Sequence, residues 1–261
     1  MPIQKLAVSG CLRAGKDDIA DYCGFKKLGF ADPMYQIADH FFGKKTPKDQ
    51  KRTFLQYLGQ AGWGKVDDDV YALTPQRALF IDHMRMYGNS MIDREEFPNV
   101  NWKRYGTTKT FWVEIFIDRV ARRLKQDKNA KIAVVNVRFD HELEPLKAAG
   151  FEHYHVMASM QSIIERLDYK GLVKRRADEP FLPALSWEDG YFMRDEQDLR
   201  SNLRGWSYSE NLIKQMTDTS EQFAIGLNNT VKDSRVIWND HRKRPDGRDF
   251  LTRDEFKGRA Q

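Results

Sequence analysis

The sequence predicts an α/β fold: a three-layer sandwich with a mostly parallel central sheet, helices on both faces and one insertion. Three observations predict it. Near the N-terminus an apolar run, Ile3 to Ser9, turns through a glycine-framed loop into a helical pattern that reaches Cys23. Lys131 to Arg138 is a near-continuous apolar run, as in a strand covered on both faces. Strand and helix patterns alternate along most of the chain, as they do in βαβ units.

The first stretch contains Gly10-Cys-Leu-Arg-Ala-Gly15-Lys16, the G-x-x-x-x-G-K spacing of a phosphate-binding P-loop, between a strand and a helix. Gly10 and Gly15 let the backbone take conformations closed to other residues, so that successive N–H groups can face one anion. The helix starting near Lys16 adds its positive dipole end, and the Lys16 ammonium reaches the β- and γ-phosphates. Gly10, Arg13, Ala14, Gly15, Lys16, Asp17 and Asp18 are therefore the candidate ATP contacts. Ser or Thr, whose hydroxyl binds Mg²⁺, usually follows the lysine. Here Asp17 stands in that place, and because a carboxylate is also a hard oxygen ligand it is the candidate metal ligand.

At 261 residues and 41% hydrophobic, the chain can bury one substantial core without dividing into independent domains. The expectation is one domain over residues 1–240, an insertion at about 161–205 and a charged, flexible tail at 241–261. A balance of 43 basic against 38 acidic residues, net +5, suits a protein that handles phosphates. It is too small and too evenly spread to indicate nucleic-acid binding. Cys11 and Cys23 make no disulfide framework, which points to a reducing, cytoplasmic setting. No secretory leader and no run of about 18 apolar residues is present, so a soluble protein with no membrane partner is expected.

Beyond the loop, Phe25 to Ala31 reads as a second short strand. Asp32-Pro33 then opens a helix with Asp32 as N-cap, apolar positions at Met34, Ile37, Ala38, Phe41 and Phe42, and Gly43 as its stop. Asp32 also lies at the carboxyl end of a strand, where α/β sheets bind ligands. Thr46-Pro47 and Thr74-Pro75 open two more helices, the first carrying Arg52 and Gln56. The acidic run in the loop from Gly62 to Asp69 reads as solvated. Thr110 to Lys125 is an apolar helix whose basic end, Arg119, Arg122, Arg123 and Lys125, is accounted for by the helix dipole. Phe139 to Glu142 opens a helix closed by Gly150, and Glu152 to Met157 is a further strand. The segment from Gln161 to Arg204 is crowded with charge and broken by Pro180 and Pro183. It is either a lid over phosphates or a solvated excursion. The lid is favoured in a chain with a phosphate loop, since phosphoryl transfer needs cationic clamping and water exclusion, and Arg166, Arg175 and Arg176 are its candidate contacts. Gln222 to Leu227 reads as a last strand, with Asn228-Asn229-Thr230 turning into a final helix.

Taken in order, Ser9 to Asp21, Phe30-Ala-Asp-Pro33, Leu55-Gln-Tyr-Leu-Gly59, Phe111-Trp-Val113 and Val135-Asn-Val-Arg-Phe139 resemble motifs of the deoxynucleoside monophosphate kinases of tailed bacteriophages. The resemblance runs to about Met157 and returns weakly near Ser209-Glu210 and Asn228-Asn229. It implies a P-loop kinase-like fold and Mg²⁺-dependent transfer of the ATP γ-phosphoryl to deoxynucleoside monophosphates, for phage DNA precursor supply in the host cytoplasm. The implied partners are small-molecule nucleotides, with no direct nucleic acid, and a homodimer is compatible with the reading. Lys16, Arg138 and Arg166 are the implied catalytic residues; Asp32, Arg52, Gln56 and Arg138 are the implied acceptor contacts. Asn136 stands where that family has Asp, which removes a carboxylate from the metal's surroundings. Two alternatives remain open. One is a dephospho-coenzyme A kinase, which shares the loop and a similar Gln161–Arg166 helix; the other is a nucleotide-binding regulator without catalysis.

Overall fold

The computed structural model describes residues 2–62, 75–98, 100–159, 162–163, 165–166, 227, 230–240 and 248–261. Its strands are β1 (Lys5–Gly10), β2 (Lys26–Lys27), β3 (Ile132–Val134), β4 (Glu152–Met157), β5 (Val236–Trp238) and β6 (Leu251–Thr252). Helices α1 (Lys16–Tyr22), α2 (Asp32–Phe42), α3 (Lys48–Gly62), α4 (Pro75–Tyr87), α5 (Phe111–Gln126), α6 (Asp140–Ala148) and α7 (Arg253–Ala260) accompany them. The strands form one six-stranded sheet in the order β2-β3-β1-β4-β5-β6, and every pairing is parallel. The fold is therefore α/β, as the alternating pattern predicts. The chain divides into two units, 1–27 with 131–143 and 150–261, and 28–130 with 144–149.

The first unit holds the whole sheet. Side chains alternate across a strand, so the register assigns them to faces. Val8 lies opposite Tyr154, Leu6 opposite Ala133, Val156 opposite Ile237 and Ile237 opposite Leu251. These seven residues form one core cluster with Ile19, Ala20, Cys23, Phe256 and Ala260 from α1, its C-cap and α7. The other face carries Ala7, Ser9, Val134, His155, Met157, Val236 and Trp238, all buried as well. Burial on both faces accounts for the unbroken apolar runs of β1 and β3.

Several boundaries differ from the sequence expectation. β2 covers two residues instead of Phe25 to Ala31, and β3 ends at Val134 instead of running to Arg138. On that side the β2–β3 register among the described residues ends at Ala133; the Val137 N–H still donates to the Val8 carbonyl of β1 at 3.4 Å. Of the strand expected at Gln222 to Leu227, residues 222–226 lie outside the described ones, and Leu227 itself is helical. The fifth strand is Val236–Trp238, three residues long and too short to show a period. Residues 248–261 are not a loose tail: Phe250, Phe256 and Ala260 are fully buried. A capping box starts α7, in which the Glu255 N–H donates to Thr252 Oγ1 and the Thr252 N–H to Glu255 Oε2.

The second unit contains α2, α3, α4 and α5. Its aromatic core packs edge to face, with Tyr105 and Phe111 rings 5.2 Å apart and Phe30 and Phe116 5.1 Å apart. The Trp112 indole N–H donates to the Leu58 carbonyl at 3.3 Å. Ala31, not Asp32, is the N-cap of α2, with Asp32 its first residue. No helix among the described residues is long and apolar enough to cross a membrane.

Candidate functional site

β1 lies inside the sheet, between β3 and β4, and the loop from Gly10 to Lys16 leaves its carboxyl end. Strand and helix flank this loop because Leu6 to Gly10 is buried on both faces and Ile19 and Ala20 pack into the same core. Gly10 has φ 149° and Gly15 φ 91°. A Cβ on Gly10 would collide with the Val156 carbonyl of the neighbouring strand, and one on Gly15 with the Asn239 amide. Glycine is required at both positions by backbone conformation and by space. Arg13 also adopts positive φ, 62°, uncommon for a residue with a side chain.

The loop's carbonyls are held in two groups. Lys16 Nζ donates to the carbonyls of Gly10 at 2.6 Å and Cys11 at 2.9 Å, so the ammonium lies across the start of the loop. On the other side, Arg166 Nη1 donates to the Arg13 carbonyl at 2.9 Å. Asn239 Nδ2 donates to the carbonyls of Ala14 at 2.9 Å and Gly15 at 3.4 Å. Sequence reasoning assigns Arg166 to phosphates, whereas its guanidinium rests on backbone carbonyls, including that of Asn239 at 2.7 Å from Nη2. Burial draws the Arg166 pKa below its ordinary value, with Asp240 and Asp18 opposing that shift. Asn239 escapes a motif search altogether. The one available signal is a polar pair, Asn239-Asp240, at the carboxyl end of a buried strand, where α/β sheets place functional groups.

At the start of α1, Asp17 and Asp18 are exposed. The Asp17 carboxylate lies 3.5 Å from Lys27 Nζ and is 66% exposed, so its ion pair is solvated and cheap to exchange. Asn136 follows β3, the strand paired with β1. Its Oδ1 is buried with no hydrogen-bond partner among the described residues. Such an oxygen is a suitable acceptor for a metal-bound water or a direct hard-oxygen ligand. Among the described residues there is no cluster of three or more His, Cys, Asp or Glu side chains able to hold a metal by themselves. Mg²⁺ on a nucleotide draws most of its ligands from phosphates and water, so Asn136 and Asp17 fit that ion as supporting groups.

Arg138 comes just after this strand, in the turn that leads into α6. Glu142 Oε2 accepts the backbone N–H groups of Arg138 at 2.6 Å and Phe139 at 3.2 Å, which fixes that turn. Burial pushes the Glu142 carboxyl up to about 7, although the two N–H donors pull it down. On β4, His153 and His155 lie 2.7 and 2.8 Å from Ser9 Oγ, immediately before the loop.

The other candidates belong to the second unit. Arg52 and Gln56 are exposed on α3. Asp32 accepts the Gly29 N–H at 3.1 Å and pairs with Arg119 Nη1 at 2.5 Å; Arg119 Nη2 pairs with Glu96. Arg119 is 6% exposed and lies outside the last turn of α5, whose basic residues are Arg123 and Lys125, so this buried network and not the helix dipole accounts for it. The carboxylate of Asp32 is thus committed to a structural ion pair. Arg175 and Arg176 lie outside the described residues, as does most of the expected lid.

No protein-family model matches the chain, and no curated protein does.

Proposed function

We propose that this chain is a P-loop kinase that transfers the γ-phosphoryl group of ATP to a deoxynucleoside monophosphate. The observation that carries the proposal is the Gly10–Lys16 loop at the end of an inner strand of an all-parallel sheet, framed by two glycines at positive φ with Lys16 Nζ across it. The resemblance of the ordered motifs up to Met157 supplies the acceptor class.

In this reading a triphosphate seated in the loop takes the Lys16 ammonium from the Gly10 and Cys11 carbonyls. There the cation neutralises charge on the β- and γ-phosphates as it develops. An oxygen of the acceptor phosphate attacks the γ-phosphorus in line, the bond to the β-phosphate oxygen breaks, and ADP leaves. Arg138 clamps the acceptor phosphate, its backbone held by Glu142. Asn136 and Asp17 would hold Mg²⁺ or its waters, and the ion would supply positive charge to offset that of the phosphates.

The test is turnover of ATP with each of the four deoxynucleoside monophosphates, following diphosphate formation, in wild type and Lys16→Ala. The expected result is diphosphate from at least one acceptor and a loss of roughly 10²–10³-fold or more in the variant. Saturable ATP binding with no diphosphate from any of the four acceptors would refute the acceptor class, turnover with dephospho-coenzyme A then separating the other kinase from a non-catalytic binder, and a fully active Lys16→Ala would refute the loop assignment.

A further inference from the structure

We propose that Asn239 is a positioning residue of the phosphate loop, setting the direction in which the N–H groups of Gly15 and Lys16 point. The inference rests on the phosphate-loop reading above. In a planar trans peptide the C=O of one residue and the N–H of the next are antiparallel. Asn239 Nδ2 draws the Ala14 carbonyl toward itself at 2.9 Å and also reaches, at 3.4 Å, the Gly15 carbonyl, which accepts the Ile19 N–H at 3.1 Å as the first acceptor of α1. The N–H groups of Gly15 and Lys16 belong to the same two peptides and are therefore aimed away from Asn239. In a loop that binds an anion through its backbone, that is the choice between donors facing the phosphates and carbonyls facing them.

Asn239 is itself held by both backbone groups. Its N–H donates to the Met157 carbonyl at 2.8 Å, continuing the β4–β5 pairing, and its carbonyl accepts Arg166 Nη2 at 2.7 Å. Asp240, next in the chain, accepts the Ser159 N–H at 2.8 Å and also the Ser159 hydroxyl. Arg166 extends the clamp to the Arg13 carbonyl at 2.9 Å. At 2% exposure, Asn239 is a buried amide whose donors go to the loop. The same contact accounts for Gly15, since any side chain there would displace the amide.

The experiment measures ATP affinity by calorimetry for the full chain as wild type, Asn239→Ala, Asn239→Leu and Asn239→Asp, at pH 8 and pH 5, with thermal melts to confirm folding. At pH 8 all three variants are expected to bind ATP about tenfold more weakly, the effect of one hydrogen bond left unmade. At pH 5 the buried carboxyl of Asn239→Asp, its pKa raised by burial, regains a proton and can donate to the Ala14 carbonyl. Its deficit relative to wild type should shrink severalfold while that of Asn239→Ala persists, and Asn239→Leu, which fills similar space with neither donor nor charge, should stay about tenfold weaker than wild type at both pH values, which a merely space-filling role would not produce. Asn239→Asp keeps the shape and carries the test if the alanine variant unfolds. ATP binding within twofold of wild type in the folded variants, or deficits unmoved by pH in all of them, would overturn the inference. Absence of ATP binding by wild type would instead refute the phosphate-loop reading itself and take the inference with it.

Discussion

Glu142 is 2% exposed and accepts two backbone N–H groups at the turn carrying Arg138. Burial outweighs those bonds and raises its pKa from 4.5 to about 7. Between those values the folded protein keeps a proton that the unfolded chain has released. Stability is therefore greatest below pH 4.5 as far as this group is concerned, falls as pH rises through the window, and levels off above about 7. The contribution is at most about 3 kcal/mol. Urea titrations across this range should show a flatter pH profile for Glu142→Gln, which keeps an acceptor oxygen and cannot ionise; superimposable profiles would exclude Glu142 as the titrating group. Arg138 yields a separate kinetic expectation. Arg138→Ala should raise the acceptor KM roughly tenfold or more, as the loss of a charge-assisted hydrogen bond does, while the ATP KM changes little. Equal rises in both would count against an acceptor role.

At the scale of elements, α7 shows how a highly charged stretch becomes ordered. Its composition argues for a loose tail, yet Phe256 is fully buried, with its ring 4.7 Å from that of Tyr154 on β4. Phe256→Ala should therefore cost about 3–5 kcal/mol by leaving a cavity. Thr252→Ala removes half of the capping box and should cost about 1 kcal/mol. Chemical denaturation of the two variants checks the order, and a larger loss for the cap than for the ring would contradict the packing described. The same logic applies to Arg119. The sequence reading groups Arg119 with the basic end of its helix, yet α5 runs on to Gln126 and its last turn holds Arg123 and Lys125 as basic residues; the approach of Asp32 and Glu96 commits Arg119 to an ion-pair network.

At the scale of the whole molecule, the sheet is completed by both ends of the chain: Ile3, Leu6 and Val8 share a core with Leu251, Phe256 and Ala260. Truncation after Asp240 should consequently lower stability by on the order of 5 kcal/mol or more, comparable to the total for a typical domain. A truncated chain that melts at the full-length temperature would show that β6 and α7 are dispensable. By itself the sequence determined the features whose information is local. The glycine and lysine spacing of the loop is confined to Gly10–Lys16, and the apolar runs of β1 and β3 record burial on both faces of a parallel sheet. The strand read at Phe25 to Ala31 is present but only as Lys26–Lys27, while β5 and β6, of three and two residues, carry no period to read and exist because neighbouring strands offer them partners. Tertiary structure alone decided that Asn239 reaches Ala14 across 225 positions of chain and that Arg119 reaches Asp32 across 87. Pairings so distant leave no local pattern, because what selects them is the desolvation of a buried polar group that must find a partner wherever the fold brings one.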